Sequence, residues 1–331
     1  MLARGSVPLF AGEIAADLGR KARVTLSFHP DRLLADGRTV IEALVAEGRY
    51  RSQFETGISN GSRTAYRGGE RDRWEEALFG GAYQERGAAP AERPRYGGLD
   101  VMRHADGASP RFGSCYLVLR SHVAPFCTFT WGDSHLGPEH VGTLDAFEPI
   151  LAAMLASAET QPDTLGVRGL TVPGLVERLA SLDRDGAAED VVGRALDGYI
   201  EAQVHGDIAL GEDVEALVID PAFAGTTAGE HLHALGARYG LPVRAHPGFV
   251  LAVTDVPPDF RGPRMVPLAA RLAARFSRAQ GELDAVVVGR AAASLHRAPQ
   301  AWEDWGKPDE TLQHLKQMWH VLVAFGRARR G

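Results

Sequence analysis

The order of the strand-like segments constrains the fold of this 331-residue chain more than any other feature. Three strand candidates, at 99–103, 113–120 and 126–131, follow one another with no helical pattern between them. A doubly wound parallel sheet would need strands that alternate strictly with helices. The sequence therefore predicts an α+β fold, with a twisted, mostly antiparallel sheet as the core, flanking helices and a helical C-terminal extension.

The other predicted elements surround this group of strands. Further strands are expected at 23–29, 199–205, 213–219 and 243–253, and helices at 8–21, 39–47, 74–79, 143–158, 173–182, 187–196 and 228–239. The segment 84–97 is rich in proline and is expected to be extended.

The C-terminal tail carries a helical pattern. Apolar residues recur on one helix face, which should pack against the body, at Leu312, Leu315, Trp319, Leu322 and Val323. The predicted organisation is an N-terminal helix over 1–22, a body over 23–255, and a helical extension over 256–331.

Composition excludes several classes of protein. The chain is 45% hydrophobic and 24% charged, which is ordinary for a globular protein. Its net charge of −6 does not indicate a nucleic-acid-binding protein, which usually carries a basic surface. No apolar run reaches membrane-spanning length, and the N-terminus lacks a secretory pattern. Cys115 and Cys127 are too few for a disulfide framework, so we expect reduced core cysteines and a cytoplasmic protein.

Common catalytic motifs are absent from the sequence. There is no GxGxxG after a strand, no GxxxxGK[ST], no GxSxG and no HExxH. Candidate sites must therefore be sought where polar residues occupy positions that normally face a core.

The first candidate follows the first strand. His29 ends that strand, and the polar segment that comes later contains Arg51, Gln53, Ser59 and Asn60. A histidine there could bind a ribose or act as a base, and an arginine could pair with phosphate. The alternative is a solvated loop with no ligand.

The second candidate is the segment TFTWGDS, residues 128–134. Thr130 and Ser134 stand at the end of an apolar strand, beside aromatic residues. The end of the same segment is also typical of a turn in which the side chains of Asp133 and Ser134 form hydrogen bonds with the local backbone.

The third candidate is YIEAQVHG, residues 199–206. Strand alternation places Tyr199, Glu201, Gln203 and His205 on one face. This mixture is typical of side chains that orient a ligand, although an outer, solvated sheet face would show the same alternation. A carboxylate in such a strand is expected to have a perturbed pKa.

Several blocks carry a resemblance to a bacterial family of unknown function, from about residue 22 to the C-terminus. They are YRSQFETGISNG, RPRYGGLD, RFGSCYLVL, TFTWGDS, YIEAQVHG and HPGFVLAVTDVPPDFRGP. A weaker resemblance is to the ADP-ribosyltransferase fold, in which a first-strand Arg or His, a Ser/Thr-rich strand and a late catalytic Glu follow in order. Here His29, residues 128–134 and Glu201 follow in that order. The chain departs from the pattern of that fold at two places. Two residues before the catalytic Glu it has Tyr199 instead of Glu or Gln, and in the middle strand it has TFT instead of Ser-Thr-Ser.

This weaker resemblance implies an enzyme that uses NAD as substrate and cleaves its nicotinamide N-glycosidic bond, with no metal. Glu201 would stabilise the oxocarbenium-like transition state. His29 and Arg51 would hold ribose and phosphate, and Thr130 or Ser134 would brace the nicotinamide side. The residues implied as catalytic are Glu201, Gln203 and His29, and those implied as binding are Arg51, Gln53, Ser59, Asn60, Thr130 and Ser134. The partner would be a nucleotide-type small molecule, with a protein or small-molecule acceptor.

Two other functions remain open. A metal-dependent hydrolase could use Asp133, His135, Glu139 and His140, whereas His231 and His233 are two apart on a predicted helix and cannot easily share an ion. A ligand-binding or interaction module without chemistry would also explain the polar groups. Glu201 at the floor of a cleft near His29 would favour an enzyme, and Glu201 on an outer sheet face would favour the module.

The loop DFRGP, residues 259–263, presents Arg261 on a stiff backbone. This arginine could clamp a phosphate or carboxylate. The favoured interpretation is a structural ion pair with Asp259 or with another loop.

Overall fold

An eight-stranded sheet forms the centre of the computed structural model, which describes residues 17–18, 20–57, 64–182, 192–278 and 281–329. The strands are β1 (Arg23–Phe28), β2 (Arg95–Asp100), β3 (Cys115–Leu119), β4 (Cys127–Trp131), β5 (Val141–Gly142), β6 (Asp163–Thr164), β7 (Val167–Arg168), β8 (Ile200–Val204), β9 (Val214–Ile219), β10 (Val243–Ala245), β11 (Leu251–Ala252) and β12 (Glu282–Leu283). β6 pairs with β7, and β11 with β12, outside the large sheet.

The large sheet has the order β10-β9-β3-β1-β2-β8-β4-β5. Every neighbouring pair is antiparallel except β9 and β10. The predicted α+β fold with a mostly antiparallel sheet is confirmed.

Helices flank the sheet and dominate the C-terminal part. They are α1 (Val40–Glu47), α2 (Gln53–Thr56), α3 (Glu70–Phe79), α4 (Ala82–Glu85), α5 (Glu148–Thr160), α6 (Val172–Ala180), α7 (Leu210–Asp213), α8 (Thr227–Tyr239), α9 (Met265–Phe276), α10 (Ala285–Arg297) and α11 (Pro308–Phe325). α1 begins at a capping box of Thr39 and Glu42 and ends at Gly48 in the left-handed conformation. No helix in the described parts of the chain is both long and apolar enough to cross a membrane.

One continuous hydrophobic core joins the sheet to the C-terminal helices. Leu26 and Leu117 from the sheet and Leu315 from α11 are fully buried within it. Trp319 donates from Nε1 to the carbonyl oxygen of Pro110 at 2.8 Å, which ties α11 to the segment before β3. The predicted packing of the tail helix against the body is confirmed, and Cys115 and Cys127 are free, buried core residues.

The strand β2 begins at Arg95, four residues before the predicted strand at 99–103. Its first part was not predicted as strand because it contains two glycines, which are normally poor strand formers. A Cβ on Gly97 would lie 2.3 Å from the Thr25 carbonyl oxygen, and one on Gly98 would lie 2.8 Å from the Ala108 Cβ. Close packing of Gly97 against β1, and of Gly98 against Ala108, therefore explains residues that strand propensity disfavours.

The segment 84–97, predicted to be extended, also contains the end of α4 and a 3-10 turn at Pro90–Glu92.

Other predicted elements differ in extent. Of the predicted helix at 187–196, residues 187–191 lie outside the described part, and 192–196 are not helical. The Asp106 carboxylate accepts from the backbone N–H groups of Gly193 and Arg194 at 2.7 and 2.9 Å, which holds this segment as a loop. The predicted strand at 243–253 is strand only at β10 and β11. Most of the predicted N-terminal helix lies outside the described residues, and residues 17, 18, 20 and 21 are helical.

A buried ion cluster fixes α3 against the sheet. Arg93 contacts Asp72 Oδ1 at 2.5 Å and Glu75 Oε2 at 2.7 Å, and all three side chains are at most 8% exposed. Tyr96 on β2 donates to the other Glu75 oxygen at 2.8 Å. The position of α3, and of every residue it carries, depends on this cluster.

Replacing Arg93 should destabilise the fold strongly, because it would leave two buried carboxylates without their cation. We expect Arg93→Met to lower the free energy of unfolding by about 3–5 kcal/mol, measured by urea denaturation. Arg38→Met is the matched control, since Arg38 pairs with Asp36 at the surface, and its effect on stability should be small. Equal losses in the two variants would contradict a structural role for the buried cluster.

Candidate functional site

A cleft of about 880 Å³ opens between the sheet, α1 and the C-terminal helices. One side is apolar, and its lining includes Leu33, Leu34, Val40, Ala43, Leu44, Leu295, Leu312 and Leu315. Another part of the lining, the polar end, includes His29, Arg71, Arg111, Asp133, Glu201 and Lys316. The cleft therefore offers both an apolar surface and a charged one to a single ligand.

Glu201 lies at the floor of the polar end and is only 3% exposed. Strand register places it opposite Gly98 of β2 and Thr130 of β4, in the interior of the sheet. Its Oε1 accepts from Gln203 Nε2 at 2.9 Å and from the Ser134 backbone N–H at 3.3 Å, and its Oε2 accepts from the Tyr199 hydroxyl at 3.1 Å. Three protein donors thus hold the carboxylate in one orientation.

The two carboxyl groups near the floor have opposite pKa shifts. Burial raises the pKa of Glu201 to about 6, the negative charge of Asp133 adds to the rise, and the charge of Arg71 opposes it. Burial also opposes ionisation of Asp133, but hydrogen bonds and charge from His135, with Arg111, hold its pKa at about 2. At neutral pH both groups are ionised, and Glu201 is the one that takes up a proton first on acidification.

Cationic side chains from three separate elements reach this end of the cleft. Arg71, on α3, is 3% exposed; it donates to Ser134 Oγ at 3.0 Å, and its guanidinium lies 4.4 Å from the Tyr96 ring centre. Arg111 contacts Asp197 Oδ1 at 2.5 Å and lies 3.9 Å from Asp133 Oδ2. Burial, with the charge of Arg111, lowers the pKa of Lys316 on α11 to about 8.

Four of the sequence-predicted residues line the cleft together: His29, Arg51, Gln53 and Glu201. His29 Nδ1 lies 3.3 Å from Ser114 Oγ, and burial lowers the pKa of its imidazole well below the usual value, so the ring is neutral. Arg51 donates from Nε to Glu47 Oε2 at 2.8 Å, so its charge is already compensated.

Three other predicted residues lie behind the carboxylate and do not form part of the cleft lining. Thr130 and Gln203 are fully buried, and Ser134 is 4% exposed. Gln203 donates to Glu201 and accepts from Thr128 Oγ1 at 2.8 Å, while Thr130 donates to the Gly132 carbonyl oxygen at 2.9 Å. The expectation that Thr130, Ser134 and Gln203 face the ligand is corrected here: they support Glu201. Ser59 and Asn60 lie outside the described residues.

The polar face of β8 extends into a longer network. His205 Nε2 lies 3.0 Å from Thr128 Oγ1, and its Nδ1 lies 2.5 Å from the Tyr83 hydroxyl. Tyr199, Glu201, Gln203 and His205 therefore share one face, as their alternation predicts. This face is covered rather than solvated, since both faces of β8 are buried.

Sequence reasoning missed Arg71, Tyr96 and Arg111 as site residues. Arginine is abundant in the chain, and the sequence pattern does not distinguish buried arginines from exposed ones. Lys316 could have been identified from the sequence as unusual, because the chain has only three lysines and this one falls within an amphipathic helix.

The residues considered for a metal site are dispersed. Asp133 and His135 contact each other at 2.6 Å, but Glu139 and His140 are exposed, and His231 and His233 lie on α8. No group of three or more His, Cys, Asp or Glu suited to a metal occurs among the residues that the structure describes. Arg261 pairs with Asp197 at 3.2 Å, which agrees with the structural interpretation of its loop.

The fold and the cleft define an α+β protein with a mixed apolar and cationic cleft around a buried carboxylate. Residues 23–325 match the model of the family described as "Protein of unknown function (DUF3626)". The chain belongs to this family, which confirms the first of the two resemblances. No curated protein matches the chain. The second resemblance, to the ADP-ribosyltransferase fold, is not supported by these comparisons.

The raised pKa of Glu201 should make stability depend on pH. Between its ordinary value of 4.5 and about 6, the folded state binds more protons than the unfolded state, so the free energy of unfolding falls as pH rises. We expect Glu201→Gln to remove this fall. Between pH 4 and pH 7, the free energy of unfolding of the variant should therefore rise by about 2 kcal/mol relative to that of the parent.

Chemical denaturation at several pH values measures this difference. Glu76→Gln, at an exposed position on α3, is the matched control for a Glu→Gln change. A Glu201→Gln difference that is flat with pH would show that Glu201 titrates normally.

Proposed function

We propose that this protein is an enzyme that cleaves the nicotinamide N-glycosidic bond of NAD and passes ADP-ribose to water or to an acceptor. The observation that carries the proposal is the carboxylate of Glu201, which is held by three donors at the floor of a large cleft. The proposal rests on the chemistry of this site and not on the family.

The buried carboxylate suits a reaction in which positive charge develops. As nicotinamide leaves, the ribose becomes oxocarbenium-like, and an ionised carboxylate fixed beside it stabilises that charge without reorganising. A water-poor site strengthens this attraction. Because the pKa of Glu201 is about 6, the group is ionised at neutral pH despite its burial.

The dimensions and polarity of the cleft also suit a dinucleotide. Small-molecule sites usually have volumes of about 300–1,000 Å³, and this cleft, at about 880 Å³, lies within that range. Its apolar side suits a base, its cationic end suits phosphate, and the neutral imidazole of His29 suits a ribose hydroxyl. Glu201 and His29 line the same cleft, which is the arrangement expected of an enzyme rather than of an outer sheet face.

Tyr199 and Gln203 act in this proposal as positioning residues. Both donate to Glu201 and both are buried, so they set its orientation and its pKa without touching the ligand.

Nicotinamide release from NAD by the purified protein tests the function, with and without a cell extract as acceptor source. We expect release by the parent and a loss of about 10²- to 10³-fold in kcat for Glu201→Gln, which keeps the shape but not the charge. Glu76→Gln, on the exposed face of α3, should keep full activity. Absence of release by the folded parent under every condition, while NAD still binds, would overturn catalysis and favour a binding module.

The pH profile tests the role of Tyr199. Activity should rise as pH increases through about 6, because the reaction needs the ionised form of Glu201. Tyr199→Phe removes a hydrogen bond to the carboxylate, so the acidic limb should move to higher pH while activity at high pH is largely retained. A loss of activity that is uniform across pH would contradict a positioning role.

A further inference from the structure

A chain of hydrogen-bonded side chains leads from Glu201 to the residue that follows β8. Gln203 Nε2 donates to Glu201 Oε1 at 2.9 Å, and Gln203 Oε1 accepts from Thr128 Oγ1 at 2.8 Å. Thr128 Oγ1 lies 3.0 Å from His205 Nε2, and His205 Nδ1 lies 2.5 Å from the Tyr83 hydroxyl. Thr128, His205 and Tyr83 do not line the cleft, so an effect of theirs on a ligand has to pass through Gln203 and Glu201.

The amide of Gln203 can take only one orientation in this chain. A hydroxyl has a single proton, and Thr130 donates its proton to the Gly132 carbonyl oxygen. The Thr130 oxygen therefore accepts from Gln203 Nε2, at 3.2 Å. An amide oxygen turned toward Thr130 and the ionised Glu201 would meet acceptors only. The nitrogen of the amide is thus held toward the carboxylate and its oxygen toward Thr128.

The direction of the hydrogen bonds continues to the far end of the chain. Because Thr128 donates its proton to Gln203, its oxygen accepts from the Nε2–H of His205. Burial lowers the pKa of His205, so its ring is neutral at neutral pH and its Nδ1 is an acceptor, to which the Tyr83 hydroxyl donates. Four hydrogen bonds consequently point the same way, toward the negative charge of Glu201, and bonds aligned in this manner strengthen one another.

The far end of the chain is fixed by packing. The Phe79 ring, at the end of α3, packs edge-on against the His205 imidazole with 5.2 Å between the ring centres. Tyr83, on α4, is 8% exposed, and the guanidinium of Arg93 lies 5.5 Å from the centre of its ring. Arg93 is also the cation of the buried cluster that holds α3. The packing therefore disfavours a rotation of the His205 ring that would exchange its two nitrogens.

We infer that Tyr83, His205 and Thr128 are positioning residues for the carboxylate of Glu201. The Tyr83 hydroxyl selects the tautomer of His205, and this tautomer directs the Thr128 proton to Gln203. Without that hydroxyl, the imidazole can carry its proton on Nδ1 and accept from Thr128, which leaves the Gln203 oxygen without a donor. The role of the chain in catalysis rests on the proposed function, whereas its effect on the carboxylate does not.

The acid–base titration of Glu201 tests the inference without any substrate. In the full chain labelled with ¹³C at the glutamate carboxyl groups, the resonance that is lost in Glu201→Gln belongs to Glu201. We expect Thr128→Val, which keeps the shape but removes the hydroxyl, to increase the proton affinity of Glu201 about 2- to 10-fold, because the ionised form loses part of its hydrogen bonding. Thr128→Ser restores a hydroxyl and should restore the titration of the parent.

Tyr83→Phe should change the titration of Glu201 in the same direction as Thr128→Val, by a smaller factor, because it leaves the Thr128 hydroxyl in place. Tyr239→Phe is the matched control, since the Tyr239 hydroxyl donates to the Val45 carbonyl oxygen and takes no part in the chain. It should leave the titration of Glu201 unchanged.

The ring nitrogens of His205 give a second readout that a side chain with a packing role alone would not alter. At neutral pH, ¹⁵N spectra of the parent should show a protonated Nε2 and an unprotonated Nδ1. In Tyr83→Phe we expect the tautomer with the proton on Nδ1 to become populated. Should Thr128→Val fail to fold, these spectra and the titration of Tyr83→Phe still decide the matter.

Three outcomes overturn the inference. They are a titration of Glu201 unchanged in folded Thr128→Val and Tyr83→Phe, an unprotonated His205 Nε2 in the parent, and a Thr128→Ser variant that titrates like Thr128→Val.

The inference and the proposed function fail separately. A titration of Glu201 that depends on Thr128 and Tyr83, in a protein that never releases nicotinamide from NAD, supports the positioning role and removes the enzyme. Nicotinamide release by a protein in which Thr128→Val alters neither the pH profile nor the titration of Glu201 supports the enzyme and removes the positioning role.

Discussion

The antiparallel pairing of β8 with β2 on one side and β4 on the other is the interaction on which the site depends. It places Glu201 in the interior of the sheet, opposite Gly98 and Thr130, where the side chain is almost completely buried. The same pairing brings Gln203, and through the turn after β4 the backbone of Ser134, within hydrogen-bond reach. Backbone register therefore sets both the burial that raises the pKa and the donors that make the burial tolerable.

The cationic side chains that line the cleft depend on a different kind of constraint, since they come from distant parts of the chain. Arg71 is placed by α3, and α3 is placed by the buried pairs of Arg93 with Asp72 and Glu75. Lys316 is placed by α11, which is anchored through the bond from Trp319 to Pro110. The helical extension is thus part of the cleft, because it supplies a wall that the sheet alone does not.

The sequence predicted those features that are encoded by local pattern. Period-2 alternation identified β8 and its polar face, helical spacing identified the buried side of α11, and the succession of strands identified the fold class. Patterns of this kind could not reveal the first part of β2, where Gly97 lies against β1 and Gly98 against Ala108, or the loop at 192–196, which is held by Asp106 from elsewhere in the chain. Nor could they separate Glu201, which lines the cleft, from Gln203 on the same strand face, because that difference depends on what covers each residue.

Local rules are broken at several places around the cleft. A carboxylate in a sheet interior and buried cationic side chains each cost stability, and proteins keep such features where function requires them. Here they lie together, at the junction of β8, the segment before β3, and α11. The remainder of the fold, with one continuous core and well-capped helices such as α1, supplies the stability that these groups take away.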